Sequence, residues 1–160
     1  MAAELSPSAQ RVQEALKGRG FSCKVVELPA STRTAQEAAR AVGCDVSRIA
    51  KSLVFMGKQT GEPYLVIASG INRVDEAKLS RRAGEPVVKA DAEFVRRHTG
   101  FSIGGVPPAG HIKPIKTWVD QALLESEIIW AAAGTPHAVF ELRSSELQEM
   151  TGGSIVAVDE

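Results

Sequence analysis

Apolar and polar positions along this chain alternate between two periods, one near 3.6 residues and one of 2. Ser6-Pro7 leads into Val12, Ala15 and Leu16, which lie one helical turn apart, and Gly18 and Gly20 follow. A serine cap, a proline at the first helical position and closing glycines predict an amphipathic helix there. CKVVEL (23–28) predicts a strand. Pro29 to Arg33 reads as a loop, and Thr34-Ala35-Gln36-Glu37 has the form of a capping box, so a second helix is expected to about Val42, stopped by Gly43. RIAKSLVFM (48–56) and YLVIAS (64–69) are runs of strand-forming residues separated by a turn over 57–63, which predicts a hairpin.

The second half continues in the same manner. VDEAKLSRRAG (74–84) predicts a third helix, 86–89 a short strand, and Asp91 caps a fourth helix closed by Gly100. FSIGGVPPAGH (101–111) breaks the pattern: its glycines and prolines exclude a regular helix or a central strand. KTWVD (116–120), EIIWAAAG (127–134) and HAVFEL (137–142) predict strands, the last two joined by Gly134-Thr135-Pro136. Ser144-Ser145 is expected to cap a final helix, ELQEM, which ends at Gly152-Gly153 before a last strand, IVAV (155–158). Hairpins and helical crossovers together predict a mixed α/β fold of about seven strands and about five helices, not a doubly wound sheet.

Composition narrows the picture. A chain of 160 residues that is 44% hydrophobic can bury a full core as one domain, 1–160. No apolar run is long enough to cross a bilayer. MAAELSPSAQ lacks the basic start and apolar stretch of a signal peptide. Cys23 and Cys44 show no disulfide framework and are expected as reduced thiols, which points to the cytoplasm. No zinc-like spacing links them to His98, His111 or His137, so no metal and no cofactor are expected.

Formal net charge is zero, yet residues 48–116 carry 12 basic and 6 acidic side chains while residues 117–160 carry 1 basic and 8 acidic. Such asymmetry fits a local positive surface for phosphates, or a field that folding cancels.

Four stretches could carry chemistry, the last being AAGTPHAVFEL (132–142) with its glycine turn and His137. In a strand, Ile49, Lys51, Leu53 and Phe55 share one face, expected to be the core side. A lysine there either snorkels its ammonium to water or sits at a pocket rim facing an anion or carbonyl. Gly104-Gly105 allows backbone N–H groups to converge on an oxygen, and the prolines after it stiffen the loop; an ordinary rigid turn is the other reading. The loop is neither a P-loop nor a dinucleotide fingerprint. Ser31, Thr32 and Thr34 place hydroxyls before a helix N-terminus, with Thr34 already assigned as its cap. His137, beside the 134–136 turn, reads as structural or solvated. No G-x-S-x-G elbow, no C-x-x-C and no cysteine–histidine pairing is present. An enzyme built from these parts would act by positioning and polarising a reactive substrate.

In order, STRTAQEAA, IAKSLVF, VDEAKL, TGFSIGGVPPAGH and AAGTPHAVFEL resemble the YbaK/ProX family of aminoacyl-tRNA deacylases over nearly the whole chain. The resemblance implies a curved, mostly antiparallel sheet wrapped by helices. It also implies hydrolysis in trans of the ester of mischarged tRNA, often tRNA for proline, by a freestanding relative of the editing domain found in some prolyl-tRNA synthetases. It puts the family lysine on Lys51 and the glycine loop on Gly104 and Gly105 as the catalytic set. Ser31, Thr32, Thr34, Ser69, Pro107, Gly110, His111, Gly134 and Thr135 form the substrate-binding set. Position 111, a histidine here, is glutamine in some members. Expected partners are aminoacyl-tRNA, above all tRNA-Pro, and a synthetase such as prolyl-tRNA synthetase. Arg73, Lys78, Arg81, Arg82, Arg96 and Arg97 are candidates to meet the tRNA body. A module that only holds a nucleotide or phosphate, and a Schiff-base lysine acting on a carbonyl metabolite, are the competing readings.

Overall fold

Residues 5–159 are described by a computed structural model; the first four residues of the MAAELSPSAQ stretch lie outside it. The elements follow the periodicities. Helix α1 (Pro7–Gly18) turns Ala9, Val12 and Leu16 inward. Strand β1 (Val25–Glu27), helix α2 (Ala35–Val42) and the hairpin β2 (Ile49–Gly57) and β3 (Pro63–Ser69) come next. Then come α3 (Glu76–Ala83), β4 (Val87–Lys89), α4 (Ala92–Thr99), β5 (Lys116–Asp120), β6 (Ile128–Ala132), β7 (Ala138–Arg143), α5 (Leu147–Thr151) and β8 (Ser154–Val156). Asp75 and Asp91 cap α3 and α4 by accepting backbone N–H bonds. Thr34 caps α2, accepting from the Glu37 N–H at 3.1 Å and donating its own hydroxyl proton to the Glu37 carboxylate.

Two cap expectations are corrected. The Ser6 hydroxyl makes no cap bond and is buried with no partner among the described residues; its N–H instead donates to Glu27 Oε1. Ser144 and Ser145 lie in a single tight turn, closed by the Arg143 N–H on Glu146 Oε1 at 3.0 Å, and α5 starts only after it.

All eight strands, one more than the expected seven, join a single sheet in the order β1-β7-β6-β2-β3-β5-β8, with β4 attached to β2. Pairing is antiparallel for β1–β7, β6–β7, β2–β3 and β2–β4, and parallel for β2–β6, β3–β5 and β5–β8. The fold is thus mixed α/β and mostly antiparallel.

The main core lies on the face that carries Ala50, Val54, Leu65 and Ile67, packed against Val12, Leu16, Phe94 and Phe140. The opposite face carries two smaller clusters, one around Phe55, Tyr64, Leu79 and Trp118 and one around Ala38, Ala39 and Ile49. Lys51 alternates with Ala50, so it belongs to this second face, and the expectation that it sits on the core side is corrected. It falls between the two small clusters, where the apolar covering is interrupted.

Candidate active site

The central strand β2 is paired along its whole length with β3, but only at its two ends on the other edge. There the ladder with β6 stops at Ala50–Ala131, and the ladder with β4 begins at Phe55–Lys89. The Ile49 carbonyl accepts from the Gly70 N–H beyond β3, whereas the Val54 carbonyl accepts from the Ala90 N–H beyond β4. Alternation therefore turns the backbone N–H and C=O of Ser52 toward the unpaired stretch. A cavity of about 510 Å³ opens there, with the Thr32–Gln36 segment, β2, the end of β6 and Ile103, Gly104 and Val106 in its walls. An edge left unpaired inside a sheet is costly unless something else satisfies it, so the gap is itself a sign of a binding surface.

The charge of the cavity has one sign. Arg33, Lys51 and Lys89 line it, and among the described residues no aspartate, glutamate, histidine or cysteine does. Lys51 is half-buried, and burial first, then the neighbouring Lys89 charge, hold its ammonium below the usual lysine pKa; Asp120 pulls weakly the other way. Two further polar groups in the walls are orphaned. Thr32 Oγ1 and Ser52 Oγ are buried and have no partner among the described residues.

The glycine loop reaches the cavity through one of its two glycines. Gly104 has φ +88°, a backbone conformation that a side chain would strain, and lines the wall beside Arg33. The Gly105 N–H is occupied, donating to the Ser102 carbonyl at 3.0 Å, and its own carbonyl accepts from the Gly134 N–H at 2.8 Å. A Cβ on Gly105 would stand 2.9 Å from the Thr135 backbone. Gly105, Gly134 and Thr135 thus form the seam that fixes the loop against the β6–β7 turn, and none of the three lines the cavity.

The remaining expected site residues divide in the same way. Thr32 and Thr34 line the cavity, and Ser31 does not, its hydroxyl accepting from the Arg33 N–H at 3.3 Å. Ser69 is buried behind β2, its hydroxyl donating to the Ser47 carbonyl and its N–H to Asp120. Pro107, Gly110 and His111 stand outside the cavity wall. The His111 Nε2–H donates to the Pro107 carbonyl at 2.7 Å, which braces the loop, and burial pushes its pKa down. Ser52, Arg33, Lys89 and Trp130 were not singled out by sequence. Ser52 alone had a signal, a hydroxyl inside an apolar run, on the face opposite to the lysine beside it.

Comparison with known proteins agrees with this fold. Residues 29–150 match the family described as Aminoacyl-tRNA editing domain. A solved structure of a candidate trans-editing enzyme for prolyl tRNA synthetase superposes with a TM-score of 0.92 at 52% identity, over 98% of this chain and 99% of that one. The uncharacterized protein YwhH of Bacillus subtilis is 32% identical over 127 residues, 79% of this chain and 80% of its own. EbsC of Enterococcus faecalis, named as a candidate Cys-tRNA(Pro)/Cys-tRNA(Cys) deacylase, is 26% identical over 126 residues, 78% and 76% of the two chains. The matched span contains Lys51, the glycine loop and the interrupted β2 edge, and the chain belongs to the aminoacyl-tRNA editing domain family, the YbaK/ProX family its motifs resemble.

Proposed function

We propose that the protein hydrolyses the ester of mischarged aminoacyl-tRNA in trans, on tRNA for proline, releasing free amino acid and tRNA. The carrying observation is the cavity at the β2 gap: cationic, open, and lined by both Lys51 and Gly104. In this reading the terminal nucleotide enters past Arg33 and Lys89, whose charges suit its phosphates. Lys51 holds the substrate's terminal nucleotide or carbonyl in place for attack. The Gly104 N–H, unpartnered among the described residues, supports the developing oxyanion. The expected second donor, the Gly105 N–H, is spent inside the loop, so the glycine pair divides its work between donor and brace.

Water is the nucleophile. Among the described residues no carboxylate or imidazole lines the cavity to take its proton, which favours activation by the substrate's own ribose hydroxyl. An aminoacyl ester is already reactive, and its α-ammonium makes the carbonyl more electrophilic, so orientation and one or two donors suffice. The likeness to a candidate trans-editing enzyme for prolyl tRNA synthetase supports that synthetase as the source of the mischarged tRNA. Deacylation of a panel of mischarged tRNAs tests the reading: hydrolysis of at least one is expected, and no turnover on any, with nucleotide binding retained, leaves a binding module.

A second reading has one observation in its favour. The lowered pKa of Lys51 would also suit a Schiff-base nucleophile. Borohydride trapping with carbonyl metabolites separates the two, since the deacylase forms no reducible adduct.

A further inference from the structure

The glycine loop carries its donor on a peptide that can turn over. The Gly105 N–H donates to the Ser102 carbonyl at 3.0 Å, which closes a four-residue turn with Ile103 and Gly104 at its centre. Gly104 has φ +88°, and no residue other than glycine has positive φ among those described, so Ile103 keeps a negative one. Negative φ followed by positive φ marks a type II turn. The Gly104 N–H belongs to the central peptide of this turn. Types I and II differ by a rotation of that one peptide, and both keep the closing bond. The bond that makes the turn therefore does not decide which way the Gly104 N–H points.

The ends of the turn are fixed, and its middle is not. Arg96 Nη2 donates to the Ser102 hydroxyl at 2.9 Å, the Gly105 carbonyl accepts from the Gly134 N–H at 2.8 Å, and the Thr135 backbone abuts Gly105. Ile103 is 41% exposed, so its side chain anchors the middle weakly, and a glycine at 104 adopts either sign of φ. What packs on the middle is Arg33. The place of a Cβ on Gly104 is taken by the Arg33 stem, with Cγ 2.6 Å, Cδ 3.4 Å and Cβ 3.5 Å away. The guanidinium at the end of that stem has no hydrogen bond or ion pair among the described residues. Arg33 and Gly104 line the same cavity. An arginine can thus pack its stem on backbone while its head stays available to an anion.

We infer that Arg33 is a positioning residue for the Gly104 donor. Its stem holds the Ile103–Gly104 peptide with the N–H toward the cavity, and a phosphate taken by its guanidinium fixes the stem in place. This rests on the deacylase reading, in which the Gly104 N–H supports the oxyanion, and adds to it the residue that couples phosphate engagement to that donor.

The test uses the full chain, mischarged tRNA-Pro and three variants of an exposed residue, with thermal unfolding recorded for each. Arg33→Met keeps an unbranched stem without the charge, Arg33→Ala removes both, and Arg33→Lys keeps both in altered form. The methionine and alanine variants should both bind tRNA more weakly, with a salt slope reduced by about one. They should part in the saturating single-turnover rate. Arg33→Met is expected within about threefold of native, Arg33→Ala lower by about tenfold or more, as for a displaced oxyanion donor, and Arg33→Lys restored. Equal saturating rates in Arg33→Met and Arg33→Ala overturn the positioning role and leave Arg33 a phosphate contact only. A catalysis-free arm follows the Gly104 and Gly105 amide signals of the isotope-labelled chain by relaxation dispersion. They are expected sharp in the native chain and in Arg33→Met, and broadened by microsecond-to-millisecond exchange in Arg33→Ala as the peptide turns over. Broadening in Arg33→Ala without turnover by the native chain on any tRNA retains the positioning role and refutes the deacylase. Unchanged Gly104 signals in Arg33→Ala together with efficient native turnover do the reverse.

Discussion

Lys51 sits where a charge is least welcome, half-buried between two apolar clusters with a second cation beside it. Its pKa is held below that of an exposed lysine, so the folded state disfavours the proton. The sign of the effect follows: folding carries a penalty at pH values below the folded-state pKa, and the penalty fades as pH rises toward the ordinary lysine value. Lys51→Met should therefore keep or raise Tm at pH 7 while deacylation disappears; a fall in Tm of several degrees would show the ammonium to be a structural group. This lysine was visible in RIAKSLVFM as a charge in an apolar run. Which face it used was not, because period 2 separates the faces of a strand without saying which is packed more deeply.

At the scale of elements, the site depends on what stops the sheet from closing. The Gly105–Thr135 seam holds the glycine loop to the β6–β7 turn, with the Gly105 Cβ position 2.9 Å from three backbone atoms that cannot step aside. Gly105→Ala should cost about 1–3 kcal/mol by overpacking, read as a lower denaturant midpoint at unchanged m-value; an unchanged midpoint would mean the seam yields. A different device secures the β2–β3 hairpin. Buried Glu85 accepts from the Tyr64 hydroxyl at 2.6 Å, the Thr60 hydroxyl at 2.7 Å and the Gln59 and Thr60 N–H groups, and these bonds, the Tyr64 one foremost, hold its pKa at about 2. A lowered carboxylate pKa stabilises the fold above the unfolded value and loses that contribution as pH falls through the folded one. Tm should accordingly drop between about pH 4.5 and pH 2, and Glu85→Gln should flatten that acid limb; an identical pH profile in the variant would contradict the clamp.

Most elements were legible from their punctuation. Caps at Thr34, Asp75 and Asp91 and stops at Gly43, Gly84 and Gly100 are local chemistry and can be read locally. Ser6, Ser144 and Ser145 misled because glutamate side chains from Glu27 and Glu146 take the backbone N–H groups of Ser6 and Arg143 at these helix starts, so no serine hydroxyl serves as the cap. The break in β2 pairing could not be read at all, since it arises from where β4 and β6, far apart in sequence, happen to reach. Thr32, Ser52, Arg33 and Lys89 became one site only through that break.

For the molecule as a whole, charge asymmetry along the sequence survives folding at the cavity, which among the described residues gathers three cations and no acid. Arg73, Arg81, Arg82, Arg96 and Arg97 are exposed, while Lys78 donates to the Asp159 carbonyl and is less available to a partner. If these arginines meet the tRNA backbone, log affinity should fall linearly with log salt, with a slope reduced by roughly one for each phosphate contact removed by Arg→Ala. A salt-independent affinity would place tRNA recognition in the cavity alone.

In the proposed reaction Lys51 and the cavity at the β2 gap act together on an aminoacyl ester. The most direct measurement is the single-turnover deacylation rate of mischarged tRNA-Pro by the native chain and by Lys51→Ala, with the thermal unfolding of both recorded. Hydrolysis by the native chain, its loss in Lys51→Ala and an intact unfolding transition in the variant are the predicted results. Near-native turnover by folded Lys51→Ala would contradict the account.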